Sequence, residues 1–376
     1  MQLDFTSDQD ELRDAIRAVL AREAPVVRAR EVAETGTRPD ALWSTFVDLG
    51  WPALTVPEAD GGIGLGCIEA TILAEELGRT LAPGPLLPTV TQFVPAVRES
   101  ATPEQSTRWL SAVAAGAIAG TLAVVEATGS HDPADTTTTL ELDGDEYVLH
   151  GEKRYVIEGD AVDEIVVVAR LTDALAGDDG VRALVVPATS ASVTPVHALD
   201  GTRRLAHLGF DGTRVAADRL LGAGTSASTA LHRAIEEATV TLALEMVGTA
   251  QTIFDVTLEY AKQRVQFGVP IGSFQAIKHK FADMAIALER ARATGYFAAL
   301  TVAEDDPRRA GAVSVAKAAA GDCRRLLGKE GIQIHGGIGY TWEHDMHLYV
   351  KRVASSEQLF GTSTWHRTRI ADVLGV

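Results

Sequence analysis

Cysteine is nearly absent from this chain: Cys67 and Cys323 are the only two in 376 residues. Neither stands in a metal-ligand spacing or a CxxC pair, so both are expected to be buried structural thiols. Long apolar runs are missing too, and none reaches the roughly 18 residues that a membrane span needs. The opening stretch "MQLDFTSDQDELRDAIRAVLA" carries acids early and no apolar h-region, so it does not read as a signal peptide. Cations are the minority. The 34 Lys and Arg face 51 Asp and Glu, a formal charge of −17. Such a surface repels phosphate backbones and anionic lipid, which argues against nucleic-acid and membrane partners. These absences predict a cytoplasmic globular protein, and the length predicts two or three packed modules.

What is present falls into three blocks. Residues 1–119 are helical. "TSDQDELRDAIRAVLARE" opens with Thr6 and Ser7 as N-cap candidates, and Leu12, Ile16, Val19 and Leu20 follow at helical spacing. A second helix is predicted from Asp40 to Leu49. From 120 to 224 the pattern changes to short Val- and Thr-rich runs such as "EIVVVARL" and "VRALVVPA". "LELDGDEYVLHG" reads as a hairpin with Asp143-Gly144 in its turn. Strand follows strand with little helix between, so this block is expected to be an antiparallel, β-barrel-like domain. Residues 225–376 return to long helices with short connections, the pattern of a four-helix bundle.

Two segments of the last block are candidates for chemistry. In "QRVQFGVPIGSFQAIKHKFADM", Arg264, Gln266 and Phe267 close one long helix and Gln275 begins the next. An Arg there suits the negative end of a helix dipole. Arg and Gln beside an aromatic ring equally suit a pyrophosphate and an adenine. In "GIQIHGGIGYTWEHD", Gly336 and Gly337 follow Gln333 by one turn; they either cap the helix or let backbone approach a ligand. His335, His344 and His347, with Glu343 and Asp345, lack the clean helical pairing of a metal site, and no metal is expected.

With these motifs in order, the whole chain resembles an acyl-CoA dehydrogenase. "LGWPALTVPEADGGIGLG", "QRVQFGVPIGSFQAIKHKFADM" and "GIQIHGGIGYTWEHDMHLYVKR" are similar to that family's N-terminal segment, signature and glycine motif, and "LFGTS" to its catalytic corner. The resemblance implies a helical domain, a β domain and a four-helix bundle, usually as a tetramer. It also implies FAD, a CoA thioester substrate, α,β-desaturation, and electrons passed to an electron-transfer flavoprotein.

The departures from the family carry as much meaning. Many members place a catalytic Glu directly before Gly-Thr-Ser; here Phe360 stands there. A phenyl ring cannot accept a proton. Other members carry the base on the long helix, and counting back from "VGTAQ" puts that slot at Ala238. Glu237 and Glu236 precede it but are turned by about 100° and about 200° around a helix. Glu245 returns to nearly the same face about 10 Å along the axis. It is either a poised base or a carboxylate paired across the bundle. The Thr residues of the family's "TEP" and "WIT" strands, which bond the flavin ring, correspond to Val125 and Ile157, and Tyr155 replaces the Trp.

Arg264, Gln266, Phe267, Gln275, Gln333, Gly336 and Gly337 all remain. In the family these positions hold the adenine and pyrophosphate end of FAD across a subunit interface. The resemblance therefore implies a subunit of a heteromer, α2β2, lacking its own base and working with a catalytic acyl-CoA dehydrogenase chain. The chain resembles those of heteromers used on bulky CoA thioesters such as steroid side chains, which implies that substrate class. The alternatives are a self-sufficient homotetramer using Glu245 or Glu237, and a non-redox homologue that binds an acyl-CoA or a partner.

Overall fold

The computed structural model describes residues 4–375 and divides into two compact units. The early helices are α1 (Ser7–Glu23), α2 (Val26–Thr35), α3 (Asp40–Asp48), α4 (Cys67–Thr80), α5 (Leu86–Pro88), α6 (Val94–Ser100) and α7 (Pro103–Ala114). Seven strands follow: β1 (Gly120–Ala123), β2 (Thr139–Asp143), β3 (Glu146–Ile157), β4 (Glu164–Leu171), β5 (Val181–Pro187), β6 (Ser192–Pro195) and β7 (Leu205–Ala216). Then come α8 (Ser228–Gln263), the short strands β8 (Val265–Gln266) and β9 (Val269–Pro270), and α9 (Gln275–Ala303). The chain ends with α10 (Arg309–His335), α11 (Met346–Gln358) and α12 (Ser363–Leu374). No helix among the described residues is long and apolar enough to cross a membrane.

The helical unit takes the chain up to Thr37, Cys67–Pro83, and everything from Thr239 on. Its first helix starts where the sequence signals it. Thr6 Oγ1 accepts from the Gln9 amide at 3.2 Å, and Gln9 Oε1 accepts from the Thr6 amide at 3.0 Å, a reciprocal capping box. The core is Leu244, Val247 and Ile253 of α8, Met284 and Leu288 of α9, Leu327 of α10, and Leu348 and Val353 of α11. α4 crosses α8 at very short range, because each helix brings a glycine to the crossing. A Cβ at Gly248 would overlap the Glu75 carbonyl, and one at Gly78 would overlap that of Glu245.

The β unit holds Arg38–Gly66 and Gly84–Ala238. Its sheet runs β1-β4-β2-β3-β7-β6, with β5 on the other edge of β4. β2 and β3 form the expected hairpin, closed by Gly144-Asp145 between the paired Asp143 and Glu146. Most pairings are antiparallel, but β1 and β2 each join β4 in parallel, so the sheet is mixed. The scarcity of helix between strands pointed to antiparallel pairing throughout. The crossover that parallel strands need is supplied by irregular chain, residues 124–138, and by the long bulged β3. Leu140, Leu149, Ile165, Val167, Val186, Leu208 and Phe210 fill the unit's core.

Candidate functional site

The ends of α8 and α10 meet, and this brings the two motif segments together. α8 stops at Gln263, and β8 and β9 pair Gln266 with Val269. The two residues between them, Phe267 at φ +55° and Gly268 at +82°, make a tight left-handed turn. A phenylalanine in that region costs backbone energy, and such strain is kept where a side chain must be presented. Phe267 is 93% exposed at the tip. Arg264, Gln266, Gln275 and Gln333 are exposed, and among the described residues their side chains make no hydrogen bond or ion pair. On the neighbouring helix end Gly336 turns the chain at φ +65°, and nothing lies within 4 Å of where a Cβ would stand on Gly336 or Gly337.

Tyr260 and His335 lock these ends to each other. Their rings stack at 4.5 Å and 22°, and His335 Nδ1 lies 2.8 Å from the Gly331 carbonyl. Burial, and the nearby His344, lower the His335 pKa. His347 stacks on Trp342 at 4.6 Å. The histidines of this motif are thus packing groups of the helix ends. The outcome is a surface of unengaged donors, an open backbone turn and one presented ring. That set suits the phosphates and flat base of a dinucleotide.

The "LFGTS" corner is built differently. Phe360 has φ +53° and is 8% exposed. Lys317, fully buried on α10, donates to the carbonyls of Glu357 at 3.0 Å, Leu359 at 2.8 Å and Gly361 at 2.7 Å. Burial pushes its pKa down to about 7. His366 Nε2 lies 2.9 Å from the Phe360 carbonyl, and Thr362 caps α12 by accepting from the Trp365 amide. Glu357 binds Arg324 and accepts from Ser363 Oγ.

Both alternative carboxylates are held by arginine. Glu245 is wholly buried, with Arg352 Nη1 at 3.2 Å from Oε1 and Ser356 Oγ at 3.2 Å from Oε2. Glu237 is 3% exposed and takes Arg98 Nη2 at 2.5 Å. Ala238 is buried carbon.

In the β unit the Val125 carbonyl accepts from the Arg154 amide at 2.7 Å, which sets Val125 beside β3. Ile157 is buried and pairs with Leu205 of β7. Tyr155 sits in a β3 bulge at φ +55° with its ring edge-on to His207 at 5.0 Å. Behind them lies a pair that sequence reasoning missed. Lys153 Nζ, fully buried, donates to Glu126 Oε1 at 2.6 Å, to Thr136 Oγ1 and to the Val124 carbonyl. Glu126 also accepts from the Thr137 and Thr138 amides and the hydroxyls of Thr136, Thr137 and Thr138. Burial opposes its charge, yet Lys153 and these donors hold its carboxyl well below the usual range. The next residue after Ile157 is Glu158, buried at φ +53°, with Oε2 unbonded. Burial pushes its pKa up to about 7. A lone Lys in "VAKAAAG" or "GEKRYVIEG" was the available signal for Lys317 and Lys153.

Comparison with known proteins adds three findings. Family models described as the N-terminal, middle and C-terminal domains of acyl-CoA dehydrogenase match residues 6–117, 121–213 and 228–375. The acyl-CoA dehydrogenase IpdE2 of Mycobacterium tuberculosis is 35% identical over 351 residues, covering 93% of this chain and 91% of the relative. Among solved structures, the ChsE4–ChsE5 complex of Mycobacterium tuberculosis superposes with a TM-score of 0.90 at 26% identity, over 100% of this chain and 99% of that one. A variant of the Tcur3481–Tcur3483 steroid ACAD does so at 0.87 and 29%, over 98% of each.

Proposed function

Because the chain belongs to the acyl-CoA dehydrogenase family, an oxidoreductase family that uses FAD, we propose that it is the non-catalytic subunit of a heteromeric member. Bound FAD would supply a hydride acceptor for the thioester β-carbon, in chemistry that also needs a base for the α-proton. In this reading a partner chain supplies that base, the flavin-ring contacts and the thioester site. This chain supplies the adenine side. Arg264 would hold phosphate oxygens, Gln266, Gln275 and Gln333 would donate to them, Phe267 would cover the base, and Gly336-Gly337 would let backbone come close.

One contrast carries the proposal. The side chains that would face a neighbour's dinucleotide are exposed and unengaged. The positions that would serve chemistry at home, 125, 157 and 360, are carbon. Apolar groups at 125 and 157 would leave ring nitrogens and oxygens unbonded, at roughly 1–3 kcal/mol for each buried group. A homotetramer using Glu245 or Glu237 is disfavoured by the arginines that hold both. The substrate class we assign is a bulky CoA thioester of the steroid side-chain kind, which the steroid ACAD neighbour supports, with an electron-transfer flavoprotein as acceptor.

Flavin counted per chain in the purified assembly tests this. The expected result is one FAD per pair of chains, and colourless protein when this chain is made alone. Yellow, active protein from this chain alone would refute it.

A further inference from the structure

The 357–361 corner is braced more heavily than a wall residue requires. Two consecutive residues, Phe360 at φ +53° and Gly361 at +94°, lie in the left-handed region. Glycine takes that conformation readily, whereas phenylalanine keeps it only where the surroundings over-determine it. Here they do. Lys317 spends all of its donors on the carbonyls of Glu357, Leu359 and Gly361. The carbonyl between, that of Phe360, takes His366 Nε2, and the other His366 nitrogen lies 3.2 Å from Ser314 Oγ. Ser314 and Lys317 both belong to α10, so one helix fixes the corner from two sides.

A group that meets a substrate must be reachable. Phe360 is not: the residue is 8% exposed, on backbone tethered at four carbonyls. Replacing Glu by any small residue would have been enough to abolish proton transfer. A large, buried ring on a braced corner adds fixed bulk that a small residue would not.

We propose that Phe360 is a fixed stopper that denies an acyl group entry to this chain's own half of the assembly. The proposal rests on the subunit reading above and adds to it a cause for single occupancy. A CoA thioester then binds once per pair of chains, at the partner's half, and the position of the ring rather than the missing carboxylate alone keeps this half empty.

Phe360→Gly in the purified two-chain assembly is the decisive variant. Glycine adopts the left-handed corner without strain, so the backbone is kept while the ring goes. The probe is S-octyl-CoA, a thioether that cannot be desaturated, counted by equilibrium dialysis. The wild type should bind one per pair of chains and Phe360→Gly two, with turnover and FAD content unchanged. Phe360→Leu, which keeps an apolar filler, should stay at one. A count that Phe360→Gly does not raise, or a wild type that already binds one probe on every chain, overturns the stopper. FAD measured on the same samples separates this from the parent reading: one FAD on every chain sinks the subunit assignment whatever the probe count.

Discussion

Glu158 holds a carboxyl where water cannot reach it, with one oxygen unbonded and the other 3.4 Å from the Arg204 amide. Arg203, Arg204 and Asp160 are the charged groups around it. Burial raises its folded pKa to about 7, above the ordinary Glu value of about 4.3. The folded state therefore binds this proton more tightly than the unfolded chain. Its stabilising share is complete below about pH 4.3 and is lost as pH rises through 7. Glu158→Gln should thus raise the melting temperature at pH 8, by the equivalent of at most about 4 kcal/mol, and leave it nearly unchanged at pH 4.5. Melting curves at the two pH values check this; equal effects at both would show that the carboxyl is not the cause. The same burial made Glu158, Lys153 and Lys317 hard to see in the sequence. A single charged side chain in sequence reads as a solvated one. Only the partners reveal otherwise, and for Lys317 they lie 40 to 44 residues away. Arg264, Gln266, Gln333 and Gly336 stand out in the sequence because each sits within a short segment punctuated by Gly or Pro.

At the scale of elements, caps and breaks did most of the work. The capping box of α1, the start of α3 at Asp40 and the Gly144 hairpin all follow from neighbours within a few residues. α2, which follows Pro25, was missed because it buries only the small Ala29 and Val32, whereas the equally uncapped α3 buries Leu42 and Phe46. The parallel pairings of β4 were missed because which strands become neighbours is decided by long loops, not by strand composition. The α4–α8 crossing was likewise invisible, since Gly78 and Gly248 are 170 positions apart and neither breaks its helix. It makes a sharp prediction. Gly248→Ala would ordinarily strengthen a helix by roughly 0.5–1 kcal/mol. Here its methyl meets the Glu75 carbonyl, so the two helices must part, and the overpacking should cost about 1–3 kcal/mol or more. A denaturation midpoint that rises in Gly248→Ala would mean that the helices do not cross so closely.

For the molecule as a whole, the division of labour between chains becomes a question of where a substitution is felt. If this chain serves a partner's cofactor, then damage to its exposed donors should appear as flavin loss from the assembly, with its own fold untouched. Arg264 is the strongest case, since its guanidinium is exposed and carries no ion pair among the described residues. Removing it breaks nothing inside the chain. A charge-assisted bond to phosphate is worth about 1.5–3 kcal/mol, so Arg264→Ala should weaken FAD retention by roughly 10- to 100-fold. Gly337→Ala probes the backbone in the same way: the added methyl meets no protein atom within 4 Å, yet it stands in the turn that a pyrophosphate would approach. Both variants should melt with the wild type when this chain is heated alone, and both should release flavin faster when the assembly is washed through a membrane and the filtrate fluorescence is followed. The contrast is with Glu245→Gln, which removes a buried partner of Arg352 and should lower the melting temperature without selectively loosening flavin. If Arg264→Ala keeps its FAD as firmly as the wild type, the exposed donors serve some other surface, and the assignment of this chain as a cofactor-sharing subunit falls with them.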